Sequence, residues 1–308
     1  MRKKRIARVS SSLLILLLVL PIDARSATWI VNADGTGDAP TIQAALDGAS
    51  PGDTILVSAG LYRENSLHCY KDDLTLMSAD GPENTFLEDP ELPPPPTLTL
   101  ASLSGFTLKG FTLRNGALSA LSVYQCSDVL IEDMIVLDNN FYSVLVEICN
   151  NITIRNCLIC GNGHGIYMTV TSCVFEGNTV SHNNGYGVCM DSGTFELANN
   201  LIAFNDVGVT TNVGTTFAAT CNNVFSYTNN YEATTDPTGT EGNISVDPQY
   251  CAFDPLASMN YLLQSDSPCS PGNHPDGYAC DLIGKYAVGC GTINIEESSW
   301  GEIKALYR

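Results

Sequence analysis

Basic residues are scarce in this 308-residue chain: 14 Lys and Arg face 33 Asp and Glu, for a formal net charge of −19. A surface of that sign repels nucleic acid and anionic membranes, so neither is expected as a partner. It also repels polyuronates unless calcium bridges the two. Long apolar runs are missing as well. Leu13–Leu20 holds eight apolar residues, too few to span a bilayer, and no later segment is apolar enough. Residues 108–225 contain no helical stretch between their turn residues, which excludes a leucine-rich repeat. No Cys-x-x-Cys pair recurs at zinc-finger spacing, so the isolated Cys157-x-x-Cys160 reads as structural.

What is present starts with an export signal. Arg2, Lys3, Lys4, Arg5 and Arg8 precede the apolar run, and Ala24-Arg25-Ser26 offers small residues for cleavage, so residues 1–26 read as a signal peptide. Its removal takes six basic residues and Asp23, leaving 8 basic against 32 acidic. All 12 cysteines lie beyond residue 26, as suits an oxidising compartment. The expected location is secreted, extracellular or cell surface, with no membrane span after cleavage.

Between Leu108 and Phe225 the sequence repeats every 21 to 23 residues. Leu108, Ile131, Ile154, Phe175, Leu197 and Thr220 form one column; Leu113, Val136, Ile159, Val180, Ile202 and Phe225 form a second. Val144, Ile166, Val188 and Val209 form a third, and Asn139, Asn162, Asn183 and Asn205 a fourth. A period of this length means a solenoid whose repeats bury their apolar faces on one another. Alternation such as Asn151-Ile152-Thr153-Ile154-Arg155 is strand periodicity, and Asn and Gly at the corners suit turns. The asparagine column predicts a coil-to-coil amide ladder. Lys109, Glu132, Arg155 and Glu176 alternate in sign, which predicts an ion-pair ladder. The fold class is therefore all-β: a single-stranded parallel β-helix.

The stretches Asn-Ile-Thr-Ile-Arg-Asn and Asn-Gly-His-Gly-Ile-Tyr-Met resemble repeats of the pectin-lyase-like right-handed β-helix superfamily. Residues 28–65 resemble the opening of pectin methylesterases, a stretch that is structural there. Ile42, Ala45, Leu46 and Ala49 share one face of a short capping helix over Thr41–Ala49. The expected domains are a cap at 27–52, the β-helix at 53–246, a Cys-rich C-terminal cap at 247–295 and a tail at 296–308. The prolines at 93–96 demand an excursion from the ladder. Cys251, Cys269, Cys280 and Cys290 are expected to form two disulfides, with three pairings open. Cys126 and Cys149, 23 residues apart, are expected to stack on adjacent coils within disulfide reach, oxidised or not, and Cys173 to be a small core residue.

The resemblance implies polysaccharides as the usual ligands, yet the catalytic sets of such enzymes are incomplete here. Gly163-His164-Gly165 lacks the Asp-Asp and Arg-Ile-Lys that accompany it in polygalacturonase-like sites, and Asp72-Asp73 lies outside the main repeat. Gln125-Cys126-Ser127-Asp128 is a poor match to a methylesterase motif. Arg155 fits the ion-pair column better than the arginine base of a lyase. What remains is a ring surface: Tyr142, His164 and Tyr186 in one column, with Tyr167 beside them, able to pack on pyranose faces. Asp133 and Asp138 are secondary ligand candidates, and with Glu132 and Asp128 they could hold calcium; no other cofactor is expected. Two functions stay open. One is a carbohydrate-binding or surface-structural β-helix acting on a polysaccharide or cell-surface glycan. The other is a polysaccharide lyase or glycoside hydrolase whose site is not legible.

Overall fold

The computed structural model describes residues 26–64, 66–88, 96–116, 118–252 and 254–290. The expected signal peptide apart from Ser26, most of the proline excursion and the C-terminal tail lie outside those residues. The chain winds as a right-handed parallel β-helix of about nine turns. One sheet of 14 strands and one of 8 form its walls, with every named pairing parallel. The column residues Leu108, Ile131, Ile154, Phe175 and Leu197 line the interior, each 3% exposed or less. They pair in register from coil to coil. Full burial of each such side chain contributes about 1.5–3 kcal/mol.

Two column assignments slip by one residue after Leu197. Ala219, not Thr220, pairs with Leu197, and Val224, not Phe225, pairs with Ile202. Side chains alternate with period two, so this shift turns Thr220 to solvent and Phe225 away from the interior.

The asparagine ladder is built as expected. Asn139, Asn162 and Asn183 each donate through Nδ2 to Oδ1 of the next asparagine, at 2.9 Å in all three steps. Each of those Oδ1 atoms also accepts the preceding asparagine's backbone N–H at 3.0 Å. A second ladder, not foreseen, runs through Asn178, Asn200, Asn222 and Asn243 at 2.9–3.1 Å. The ion-pair ladder forms through three of its four members: Glu132 takes Lys109 and Arg155, each at 2.9 Å, and no ion pair reaches Glu176 among the described residues. Glu88 likewise bridges Arg63 and Arg114, at 3.1 and 2.6 Å. Both carboxyls are raised by burial, and their two cationic neighbours more than offset this, so both sit below the ordinary glutamate range.

The helix α1 (Ile42–Gly48) covers the first coil with Ile42, Ala45 and Leu46 buried. Thr41 caps it by accepting from Ala44, and the Glu64 carboxylate accepts the Ile42 and Gln43 amides at 2.7 and 3.0 Å, satisfying donors the helix leaves free. The sheet starts earlier than expected: Thr28–Val31 pairs with Thr54–Val57 ahead of the helix. Asp53 pins that strand through the Ala27 amide and the Trp29 indole.

The C-terminal segment differs most from expectation. Residues 274–280 pack on the last coil through His274, Tyr278 and Cys280, and the rest of 247–252 and 254–290 runs back along the outer face of the 8-stranded sheet. Tyr250, Tyr261, Leu263 and Ile283 pack there on Ile135, Leu158, Leu201 and Ala203. Lys285 reaches Asp133 in an ion pair and donates to the Asn156 carbonyl at 2.8 Å. The disulfides are Cys221–Cys280 and Cys251–Cys290. The expected Cys269 remains a buried thiol beside Asn223, and Cys221 of the last coil takes the place foreseen for it.

Candidate functional site: two ring clusters and a thiol pair

The strands Tyr142–Arg155, His164–Glu176 and Tyr186–Ala198 bring the expected ring column together. Tyr142 stacks on His164 at 4.7 Å and 29°, and His164 on Tyr186 at 5.5 Å and 20°. Tyr167 tilts against Tyr142 at 5.3 Å. The stacked rings occupy one another's faces, which leaves edges to solvent. Gly163-His164-Gly165 is explained by packing: a Cβ on Gly165 would lie 2.2 Å from the Gly187 carbonyl, so only glycine lets the coils approach.

The acids do not join these rings. Asp133 is held by Lys285. Asp128 accepts from Asn151 at 2.6 Å, and Glu132 lies between its two cations. Asp138 sits in another column, beside Gly161 and Leu256. Arg155 and Arg114 are both ion-paired.

That other column carries a second ring cluster the sequence reading missed. His182 and Phe204 stand two residues beyond the paired Val180 and Ile202, as Asp138 stands beyond Val136. The His182 ring lies 5.1 Å from Phe204, and Phe204 lies 5.9 Å from both Tyr227 and Tyr250. Here the C-terminal segment raises a wall against the coils, and the result is concave. Two lobes of about 360 and 330 Å³ share His182, Phe204 and Tyr227. One lobe adds Asp247, Gln249 and Gln264; the other adds Asn184 and Asp206. Tyr227 is 69% exposed, and the buried Gln249 Oε1 has no hydrogen-bond partner among the described residues. The signal that could have found this groove was the 22-residue step from His182 to Phe204.

Burial lowers the pKa of both His164 and His182, the latter partly restored by Asp254. A depressed folded value means that the unfolded chain binds the proton first. Stability is therefore fully present above the unfolded histidine pKa of about 6.5 and is lost as pH falls toward and through the folded values. Urea midpoints measured between pH 7.5 and 5 should fall, and should fall less in His182→Gln. An identical pH slope in the variant would remove His182 from the effect.

A third group lies elsewhere. Cys126 and Cys149 occupy equivalent turns, and the Cys126 amide donates to Cys149 Sγ at 3.4 Å. Both are free thiols and both line a groove of about 410 Å³. Their mutual contact lowers the pKa of the Cys126 thiol and, with burial, raises that of Cys149.

Residues 46–246 match the family model described as NosD, periplasmic copper-binding protein. No curated protein matches the chain. Among solved structures, the chain is similar to pectate lyase Pel9A at 11% identity and a TM-score of 0.56, over 86% of this chain and 97% of that one. It is similar to the deglycosylated pectin methylesterase of Aspergillus niger at 17% identity and a TM-score of 0.46, over 75% and 93%. The first of these likenesses concerns the fold alone. Among the described residues no three His, Cys, Asp or Glu side chains gather as a metal cluster. Outside the two disulfides, sulfurs meet among the described residues at Cys126 and Cys149 on adjacent coils, and at Cys173 Sγ, 3.8 Å from Met168 Sδ in the core.

Proposed function

The chain belongs to the family described as periplasmic copper-binding protein NosD, and from that premise we propose an extracytoplasmic, non-catalytic β-helix that binds a neutral oligosaccharide. The observation that carries the reading is the groove at His182, Phe204 and Tyr227. An exposed ring offers a face to a pyranose, while the flanking amides and carboxylates of Asn184, Gln249, Asp206 and Asp247 supply hydrogen bonds that fix orientation. The two carboxylates disfavour an anionic sugar. The two disulfides support an oxidising compartment. Engagement of Arg114 and Arg155 in ion pairs leaves neither free as a base, which supports binding rather than elimination chemistry.

Calorimetric titration against a panel of neutral and acidic polysaccharides, with and without calcium, tests this reading. Tyr227→Ala should weaken binding of a neutral glycan by about 1–3 kcal/mol, the value of one aromatic contact and its buried area. Tyr167→Ala should leave it unchanged. The reverse pattern would move the site to the column of Tyr142, His164, Tyr167 and Tyr186. Depolymerisation of any polysaccharide by the wild type would overturn the non-catalytic reading.

A further inference from the structure

We infer that the groove at His182 selects N-acetylated hexose units: His182 Nε2 donates to the acetamido carbonyl, and Gln249 Oε1 accepts the acetamido N–H. The inference rests on the neutral-glycan reading and names the sugar class that the same groove takes. Three observations carry it.

The first fixes the sense of one hydrogen bond. Tyr250 Oη lies 3.3 Å from Ser181 Oγ, which lies 2.8 Å from His182 Nδ1. Tyr250 and Ser181 are 6% and 0% exposed, so both hydroxyl protons need acceptors inside the protein. One direction gives each of them an acceptor: Tyr250 donates to Ser181, and Ser181 donates to His182 Nδ1. In the other direction His182 donates to Ser181 and Ser181 to Tyr250, which leaves the Tyr250 proton no acceptor among the described residues. Burial lowers the His182 pKa and favours the neutral ring at neutral pH. A neutral ring that accepts at Nδ1 carries its proton at Nε2. That nitrogen has no partner among the described residues, and the ring lines both lobes. The relay makes His182 a fixed donor to whatever enters.

The second is an acceptor without a donor. The Gln249 amide donates to Asp247 at 2.8 Å, and its carbonyl accepts the Gln264 amide at 3.0 Å. The backbone that carries the side chain is thus held from both sides. Its Oε1 is nevertheless buried with no hydrogen-bond partner among the described residues. A buried acceptor left unpaired is destabilising, and a ligand N–H that reached it would relieve that cost. Gln249 and His182 line the same lobe.

The third is the rest of that lobe's wall. Phe204, Tyr227, Ala252 and Pro255 give it an apolar side, against which a methyl group packs and a hydroxyl loses its hydration. An acetamido group offers a carbonyl, an N–H and a methyl together. A plain hexose offers hydroxyls and no methyl. A free amino sugar, protonated at neutral pH, offers only donors at that position and leaves His182 nothing to meet.

Calorimetric titration of the full-length chain at neutral pH would compare trimers of N-acetylglucosamine, glucose and glucosamine in the same linkage. The N-acetylated trimer should bind at least about 10-fold more tightly than the glucose trimer, the factor that about 1.4 kcal/mol supplies. Gln249→Ala should abolish most of that preference while the glucose trimer's affinity holds, because the Gln249 side chain has no hydrogen-bond partner among the described residues. Nitrogen NMR of histidine-labelled protein should show His182 unprotonated at Nδ1 and protonated at Nε2. The opposite tautomer would remove the donor and overturn the inference. Equal binding of the N-acetylated and glucose trimers, or a preference unchanged in Gln249→Ala, would overturn it while the neutral-glycan reading survives. Tightest binding by the glucosamine trimer would assign the groove to its carboxylates, Asp206 and Asp247, and overturn it too. If no trimer and no other neutral glycan binds, the neutral-glycan reading fails and the inference falls with it.

Discussion

Replacing Asn183 with Ala should lower stability by about 4 kcal/mol, among the largest losses any single side chain of this size can cause. The side chain is 2% exposed and sits inside the first ladder. Its Oδ1 accepts both the backbone amide and the side-chain amide of Asn162, at 3.0 and 2.9 Å. Removing it orphans the Asn162 backbone N–H and one N–H of Asn162 Nδ2, whose other N–H keeps the Val136 carbonyl, and each orphaned N–H costs about 1–3 kcal/mol. The Ile159 carbonyl and Asn205 Oδ1 lose a donor as well. Asn139→Ala is the internal comparison. Asn139 begins this ladder, and among the described residues its Oδ1 accepts only the Gly116 amide, so its loss should cost about half as much on the same scale. The measurement is the urea midpoint at constant m-value. Equal effects at the two positions would show that the ladder acts through packing rather than through saturated amides.

The same hydrogen bonds show why so much of the fold was legible in the sequence. An asparagine ladder, an apolar column and an alternating charge column each work only if equivalent residues recur at one-coil intervals, so the physics writes its period into the chain. The slip at Thr220 and Phe225 marks where that signal weakens. Both Ala219 and Thr220 could follow Leu197, and only the pairing Leu197↔Ala219 decides which faces in. The outer covering of the smaller sheet had a signature that went unread. Rows such as Leu158-Ile159-Cys160 and Leu201-Ile202-Ala203 are apolar at every position, and all six residues are buried. Strands buried on both faces read as continuous apolar runs, whereas rows with one wet face alternate, as Ile152-Thr153-Ile154-Arg155 does. The candidate groove was harder to see for a different reason. Half of it comes from the repeat, through His182 and Phe204, and half from a segment without period, through Tyr250 and Gln249. Column reasoning can find the first half and has no purchase on the second.

Removing the Cys221–Cys280 bridge in the double variant Cys221→Ser/Cys280→Ser should detach the C-terminal segment while leaving the solenoid wound. The bridge closes a loop with a sequence separation of 59 residues, and a loop of that length is worth about 4 kcal/mol in the chain-entropy account. It tethers a segment with a single short helix, α2 (Pro255–Ser258), and little hydrogen-bonded structure of its own. The core of that segment exists only as a cluster shared with Ile135, Leu158, Leu201 and Ala203 on the outer face of the sheet. The coils are held differently, by parallel pairing and by two asparagine ladders that do not pass through the bridge. Their far-ultraviolet signal should therefore persist. Three changes should accompany the release: dye binding to the uncovered apolar face, protease cleavage within 247–290, and loss of glycan binding, because Tyr250, Gln249 and Asp247 leave the groove. If glycan binding survives while the segment is cleaved, the coils alone form the site, and His182, Phe204 and Tyr227 would account for all of it. If the whole chain unfolds with the bridge, the segment is an integral part of the solenoid's stability rather than a strap laid across it.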